Sequence, residues 1–209
     1  MNQGTNTISV LLGNWDGTFQ SPVDFAVETN PDWVDAGDFN GDGKLDLAVS
    51  NFGSGTVSVL GGNGDGTFLP EVSYFLGGGP GSVVAADLNG DGRLDLVVAD
   101  QLANRVTVLL ATEGGSFGSG KDYRVSGNAN RAIVADLNQD NKPDLVVVTQ
   151  TPTVDVLTGR EDGGFGHLSS FPIGNCPFAV SAADLNRDGR LDLVSVGGCD
   201  NSISVLLTK

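Results

Sequence analysis

Histidine and cysteine are scarce in this chain of 209 residues, one His and two Cys. Metal centres built on imidazole and thiolate, and nucleophilic triads built on His, therefore have almost nothing to draw on. Basic residues are few as well, 11 Lys and Arg against 26 Asp and Glu, for a formal net charge of −15. That balance argues against nucleic-acid phosphates and anionic lipid surfaces as partners. No apolar run reaches the roughly 18 residues of a membrane span, so no membrane insertion is expected. The opening Met1-Asn2-Gln3-Gly4-Thr5 has neither a basic stretch nor an apolar one, so no secretion signal is expected within this chain. A sustained 3.6-residue apolar period is missing too, and no helix is expected. Glycine, by contrast, is abundant, 31 residues without a Gly-X-Y period, which points to many tight turns between short strands.

An internal repeat organises the chain. Asp38-Phe39-Asn40-Gly41-Asp42-Gly43-Lys44-Leu45-Asp46 returns with its Asp and Asn positions intact from Asp87, Asp136 and Asp184, in steps of 49, 49 and 48 residues. A second marker keeps the same phase: Gly17-Thr18-Phe19, Gly66-Thr67-Phe68, Gly115-Ser116-Phe117 and Gly164-Phe165. Within one period the β-branched runs predict four strands, Ser82–Asp87, Leu94–Ala99, Val106–Leu110 and Lys121–Val125, here called A to D. A and B are nearly apolar throughout and read as buried on both faces; D is more polar and suits an outer edge. Four strands per period of 40 to 50 residues is the pattern of propeller blades.

These markers resemble the FG-GAP/VCBS repeats of integrin α-chain propellers and many bacterial secreted proteins, and the resemblance covers essentially the whole chain. It implies an all-β propeller of four-stranded blades, calcium in the A–B loops on one face, and partner binding on the opposite face. The expected units are about 1–29 (partial), 30–78, 79–127, 128–174 and 175–209 (partial) within a single propeller domain or segment. The chain opens on C and D strands near 7–12 and 22–27 and closes on A, B and C. If the first D strand completes the last blade, a four-bladed ring closes with one C strand to spare. Otherwise the chain is a segment of a larger ring, seven blades being the family's common number, and this second reading is favoured.

Each nine-residue loop reads D-x-N-x-D-G-x-x-D, similar to a shortened EF-hand loop. The side-chain oxygens come from Asp38, Asn40, Asp42 and Asp46; from Asp87, Asn89, Asp91 and Asp95; from Asp136, Asn138, Asp140 and Asp144; and from Asp184, Asn186, Asp188 and Asp192. Position seven, held by Lys44, Arg93, Lys142 and Arg190, can add its backbone carbonyl. An all-oxygen set on a flexible loop suits Ca²⁺ better than Mg²⁺, which demands octahedral geometry and keeps its water. Turn chemistry alone favours Asp, Asn and Gly, but does not place three Asp identically in four loops. These carboxylates are 12 of the 26 acidic residues, and about four Ca²⁺ are expected as structural ions. In the third loop Asn141 replaces Gly and Pro143 replaces Leu, while all four side-chain donors remain.

Cys176 lies before the fourth A strand and Cys199 after the fourth B strand, so antiparallel pairing brings them within disulfide reach. That, with calcium loops of a kind that fills in millimolar surroundings, leads us to expect a secreted or cell-surface setting. Trp33 reads first as ordinary packing at the start of a strand, and alternatively as a ligand contact. It and the variable B–C and D–A loops (Asn51, Phe52, Gln101, Asn104, Arg105, Gln150; Asn128, Asn130, Arg131) share the face opposite the acidic loops, where specificity for a ligand would sit. His167, in a polar hairpin, reads as a solvated side chain. The expected function is a non-enzymatic, calcium-stabilised extracellular binding or adhesion module for a protein or glycan. Alternatives are the non-catalytic propeller portion of a secreted polysaccharide lyase or other hydrolytic enzyme, and a purely structural spacer.

Overall fold

The computed structural model describes residues 1–208, which form seventeen strands and no helix. A two-stranded sheet of β1 (Thr7–Val10) and β2 (Val23–Ala26) comes first. Three four-stranded meanders follow: β3 (Pro31–Gly37), β4 (Asp46–Asn51), β5 (Thr56–Leu60) and β6 (Val72–Phe75); β7 (Pro80–Ala86), β8 (Asp95–Asp100), β9 (Arg105–Leu109) and β10 (Lys121–Arg124); β11 (Ala129–Ala135), β12 (Asp144–Thr149), β13 (Thr153–Gly159) and β14 (Phe165–Pro172). A three-stranded sheet of β15 (Pro177–Ala183), β16 (Asp192–Gly197) and β17 (Ser202–Leu206) ends the series. Every pairing is antiparallel and every sheet keeps the A-B-C-D order. These are propeller blades, as the repeat predicts.

Observed strand ends fall within two residues of the expected ones, and the largest difference has a cause. Each A strand starts earlier than its apolar run, because one extra residue interrupts its register: Asp32, Gly81, Asn130 and Phe178. Such bulges recur at sheet rims and re-aim the neighbouring side chains.

B strands are the buried heart of each blade, with all six residues of β8 and β12 buried. The A strands depart from expectation: β3 and β11 are only half-buried. They are innermost, with β3 beside β7, β7 beside β11 and β11 beside β15, so one side of each looks toward the axis and is incompletely covered. A backbone bond from the Ala85 N–H to the Asp35 carboxylate, 2.9 Å, ties two of these strands directly.

Blades are locked together by the Gly-x-Phe hairpins. Phe117, in the C–D hairpin of one blade, meets Tyr74 and Phe39 of the preceding blade edge-on, at centroid distances of 5.6 and 5.8 Å. Phe68 meets Phe25 at 5.2 Å and Phe165 meets Tyr123 at 5.4 Å in the same way. Edge-to-face pairs of this kind add to the area they bury. Phe19 heads the first sheet, has no such partner among the described residues and is 65% exposed.

At the ends β2 pairs with β1, and among the described residues β17 has no outer partner. A four-bladed ring completed by β2 is therefore not formed. Ile203 and Val205 of β17 are 71% and 54% exposed, whereas Val57 and Val59 at the same places in β5 are 0% and 7% exposed. The apolar pattern of the last sheet is that of a covered blade, and nothing among the described residues covers it. Cys176 and Cys199 are disulfide-bonded with Cα atoms 5.4 Å apart, joining the start of β15 to the end of β16.

If the hairpin Phe is the interblade lock, Phe117→Ala is expected to cost about 3–5 kcal/mol in urea unfolding. Phe19→Ala is expected to stay within about 0.5 kcal/mol, as exposed substitutions do.

Candidate metal centres and the opposite loop face

The four acidic loops join A to B and have one backbone design. In the first, the Asp38 carboxylate accepts N–H bonds from Gly41 (2.7 Å), Asp42 (3.2 Å) and Gly43 (2.8 Å). Asn40 accepts from Asp42 N–H at 2.8 Å, and Asp42 from Lys44 N–H at 2.9 Å. The bonds from the N–H groups of positions five, six and seven recur in the other loops. These side chain-to-backbone turns are what short Asx side chains do best.

The chain must turn left-handed at position six, as Gly43, Gly92 and Gly189 allow, and Asn141 takes φ 63° there in the third loop. Position four is left-handed too, a requirement the sequence motif does not announce. Gly41 and Gly90 meet it freely, while Gln139 (φ 61°) and Arg187 (φ 64°) adopt it against their intrinsic preference. Leu45, just before position nine, is 64% exposed, whereas position two is buried in the first two loops, Phe39 and Leu88 at 1% and 3% exposure. A hairpin of the following blade backs onto each of these loops, with Gly115 against Asn40 and Gly163 against Asn89.

Position nine differs from the other acidic positions. Asp46, Asp95, Asp144 and Asp192 begin the B strands and are at most 2% exposed. In each, one oxygen accepts the N–H of position two and the other the N–H at the end of the C strand. The pairs are Phe39 and Gly62, Leu88 and Ala111, Leu137 and Gly159, and Leu185 and Thr208, all at 2.7–3.0 Å. One carboxylate thus joins the A–B loop to the end of the C strand in each of the four blades that carry the loop. The motif marks these residues only as oxygen donors; their role as bolts is visible only in three dimensions.

Burial pushes the carboxyls of Asp95 and Asp144 above their ordinary range, against the backbone N–H groups that favour the charged form. The carboxylates at positions one and five of the same loop raise them further. Asp38 lies below its ordinary value, held chiefly by the Gly43 N–H, and Asp188 likewise by the Arg190 N–H. Compensation by side-chain cations is partial. Lys44 reaches Asp42 at 3.3 Å and Arg93 pairs with Asp91, whereas Lys142 turns away to Glu161.

Among the described residues no three His, Cys, Asp or Glu side chains close on one point; the loop oxygens converge on backbone N–H groups. A carboxylate offers about four lone-pair sites, so each one turned onto N–H groups keeps sites for a cation. An all-oxygen donor set in carboxylate excess fits a hard divalent ion. Asp38, Asn40, Asp42 and Asp46 and their counterparts would hold it, with the carbonyls of Lys44, Arg93, Lys142 and Arg190.

On the opposite face, two expected recognition residues belong to the scaffold. Asn51 is buried and donates to Ser58 at 2.8 Å, and Arg105 is tied to Asp100, Asp122 and the Leu76 carbonyl at 2.8–3.1 Å. Gln101, Gln150, Asn128, Asn130 and Arg131 remain at the surface, linked by bonds such as Gln101 to Asp32 at 3.0 Å. Trp15 sits fully exposed in a left-handed turn, φ 65°. His167 is exposed on β14.

A profile of FG-GAP-like repeats matches residues 1–49, 38–98, 87–147 and 136–195, tiling nearly the whole chain. No curated protein sequence matches it. Among solved structures the chain is similar to a streptogramin B lyase, with TM-score 0.60 and 18% identity, covering 99% of this chain and 63% of that one. It is also similar to an Agrocybe aegerita lectin recognising non-reducing terminal N-acetylglucosamine, with TM-score 0.53, 23% identity and coverage of 81% and 50%. A third is virginiamycin B lyase from Staphylococcus aureus, with TM-score 0.57, 15% identity and coverage of 98% and 64%. The chain therefore spans between half and two thirds of these structures, and at such identity the likeness is one of fold.

If position nine is a bolt in its own right, Asp95→Ala in excess chelator is expected to cost about 3 kcal/mol in urea unfolding, since it strands two buried donors. Asp91→Ala, at exposed position five, is expected to cost less than about 1 kcal/mol under the same conditions.

Proposed function

We propose that this chain, which belongs to the FG-GAP-like repeat family, is a non-catalytic, calcium-stabilised binding module. It works outside the cell and recognises a protein or glycan through the face opposite its acidic loops. The observation that carries the calcium half is the fourfold recurrence of three carboxylates at identical loop positions, with too few local cations to balance them.

The chain's own residues prepare each loop. Left-handed turns at positions four and six curl the backbone, Asx bonds orient positions one, three and five, and the buried carboxylate at position nine fixes the loop to its blade. Bound calcium would supply the positive charge that offsets these carboxylates. A metal held only by the folded state stabilises it by mass action. Four equivalent loops with no attached acid, base or nucleophile suit structural ions rather than a reaction centre. The Cys176–Cys199 disulfide favours an oxidising compartment. The binding half rests on the contrast between faces: the acidic loops repeat, while the loops around Trp33, Gln101, Arg131 and Gln150 differ from blade to blade.

Isothermal titration with light scattering on the same sample tests this reading. About four Ca²⁺ per chain are expected, and chelation is expected to lower the melting temperature by about 10 °C or more. Absence of calcium binding, or product release from polysaccharide substrates, would contradict it.

A further inference from the structure

We propose that Arg131, stacked against Trp33 and Phe178, is the anchor of a carboxylate-binding subsite for an acidic sugar on this loop face. The assignment deepens the binding role just proposed and rests on it.

The guanidinium carbon of Arg131 lies 3.8 Å from the Trp33 ring centre and 4.8 Å from that of Phe178. Register explains how three blades meet here. Trp33, Ser82 and Arg131 hold the same position in β3, β7 and β11, each facing the fifth residue of its B strand, and Phe178 is the bulge residue of β15. The intervening blade keeps small residues, Gly81 and Ser82. A Cβ at Gly81 would collide with the Gln101 amide, which bonds Asp32. Every participating blade lies within this chain.

The cluster has unmet bonding capacity. Among the described residues no guanidinium N–H of Arg131 has a hydrogen-bond partner, and no carboxylate forms an ion pair with it. Arg105, by contrast, has every guanidinium nitrogen bonded, to two carboxylates and a carbonyl. Beside Arg131 in the ring of equivalent positions, the Ser82 hydroxyl is buried at 2% exposure and has no partner. Aromatic rings hold a guanidinium by its face and leave its edge free for in-plane, bidentate contact with a carboxylate.

The surroundings select among carboxylates. Asp32 lies close enough to act on Arg131 electrostatically, and the chain carries −15 overall, so a polyanion would be repelled. A single charge on an otherwise neutral ligand is not. Phe178, 60% exposed, offers a ring face to an apolar pyranose face, and the amides of Gln101 and its neighbours suit hydroxyls. A glycan bearing one uronic acid answers all three features better than an acidic peptide, which has no use for the ring.

The full chain in millimolar calcium carries the test, with Trp15→Phe leaving Trp33 as its one indole. Methyl glucuronide, neutral methyl glucoside and N-acetylglutamate amide are titrated while Trp33 emission and heat are followed. Saturable binding of the glucuronide is expected, with the other two weaker by about tenfold or more. Arg131→Gln is expected to lose about tenfold in glucuronide affinity at unchanged melting temperature. Should that variant unfold, Phe178→Leu at an exposed position is expected to weaken binding several-fold. Equal response to the glucoside, tighter binding of the glutamate, or affinity untouched by Arg131→Gln would each overturn the assignment. A glycan and protein panel separates the two levels. A panel ligand unaffected by Arg131→Gln, with no glucuronide response, removes the subsite and leaves the binding role; silence throughout removes both.

Discussion

A buried carboxylate at the head of each B strand holds the blade in shape. Asp46, Asp95, Asp144 and Asp192 each spend one oxygen on the loop before them and the other on the end of the C strand. A carboxylate this buried is costly unless its bonds are made, and here two charge-assisted bonds offset the loss of water. The cost is not fully met, since Asp95 and Asp144 still feel burial and the negative charges beside them. A divalent cation bound in the same loop, as proposed, would relieve repulsion that the backbone bonds do not reach. On that proposal blade architecture and ion affinity share one residue per repeat.

Between blades the forces are apolar. From the second onward, each Gly-x-Phe hairpin brings a ring onto an aromatic of the preceding D strand, and the backbones of the third and fourth close against the preceding acidic loops. Stability in such arrays is a sum of unit and nearest-neighbour terms. The exposed Phe19 at one end, and Ile203 and Val205 at the other, are the same residues that neighbouring blades cover elsewhere. The acidic loops lie at these junctions, so ordering of a loop bears on the interface as well as on the blade.

The fold and the places of the acidic loops were legible in the sequence because both depend on local chemistry. Strands follow from short β-branched runs between Gly, Asn and Asp turns, and the loops from side chains that bond their own backbone. Even the irregular third loop could be read, since Asn141 tolerates the turn that Gly makes elsewhere. What could not be read depends on partners distant in sequence. Asp95 looks like any loop aspartate until Ala111 arrives 16 residues later. Asn51 and Arg105 look like surface recognition residues until the fold buries one and ties down the other. Trp33 and Arg131 are nearly a hundred positions apart, and only the repeat register sets them side by side. The half-buried A strands show the same limit: an apolar run records hydrophobicity, not which strand will border the axis.

The proposed link between the buried carboxylates and a calcium ion is open to one direct measurement, amide hydrogen exchange by NMR with and without calcium. The amides that matter are those bonded to position nine: Phe39, Gly62, Leu88, Ala111, Leu137, Gly159, Leu185 and Thr208. Protection at these eight sites is expected to rise together when calcium is added. Unchanged exchange there, with calcium either unbound or protecting other regions alone, would contradict the coupling of metal and blade.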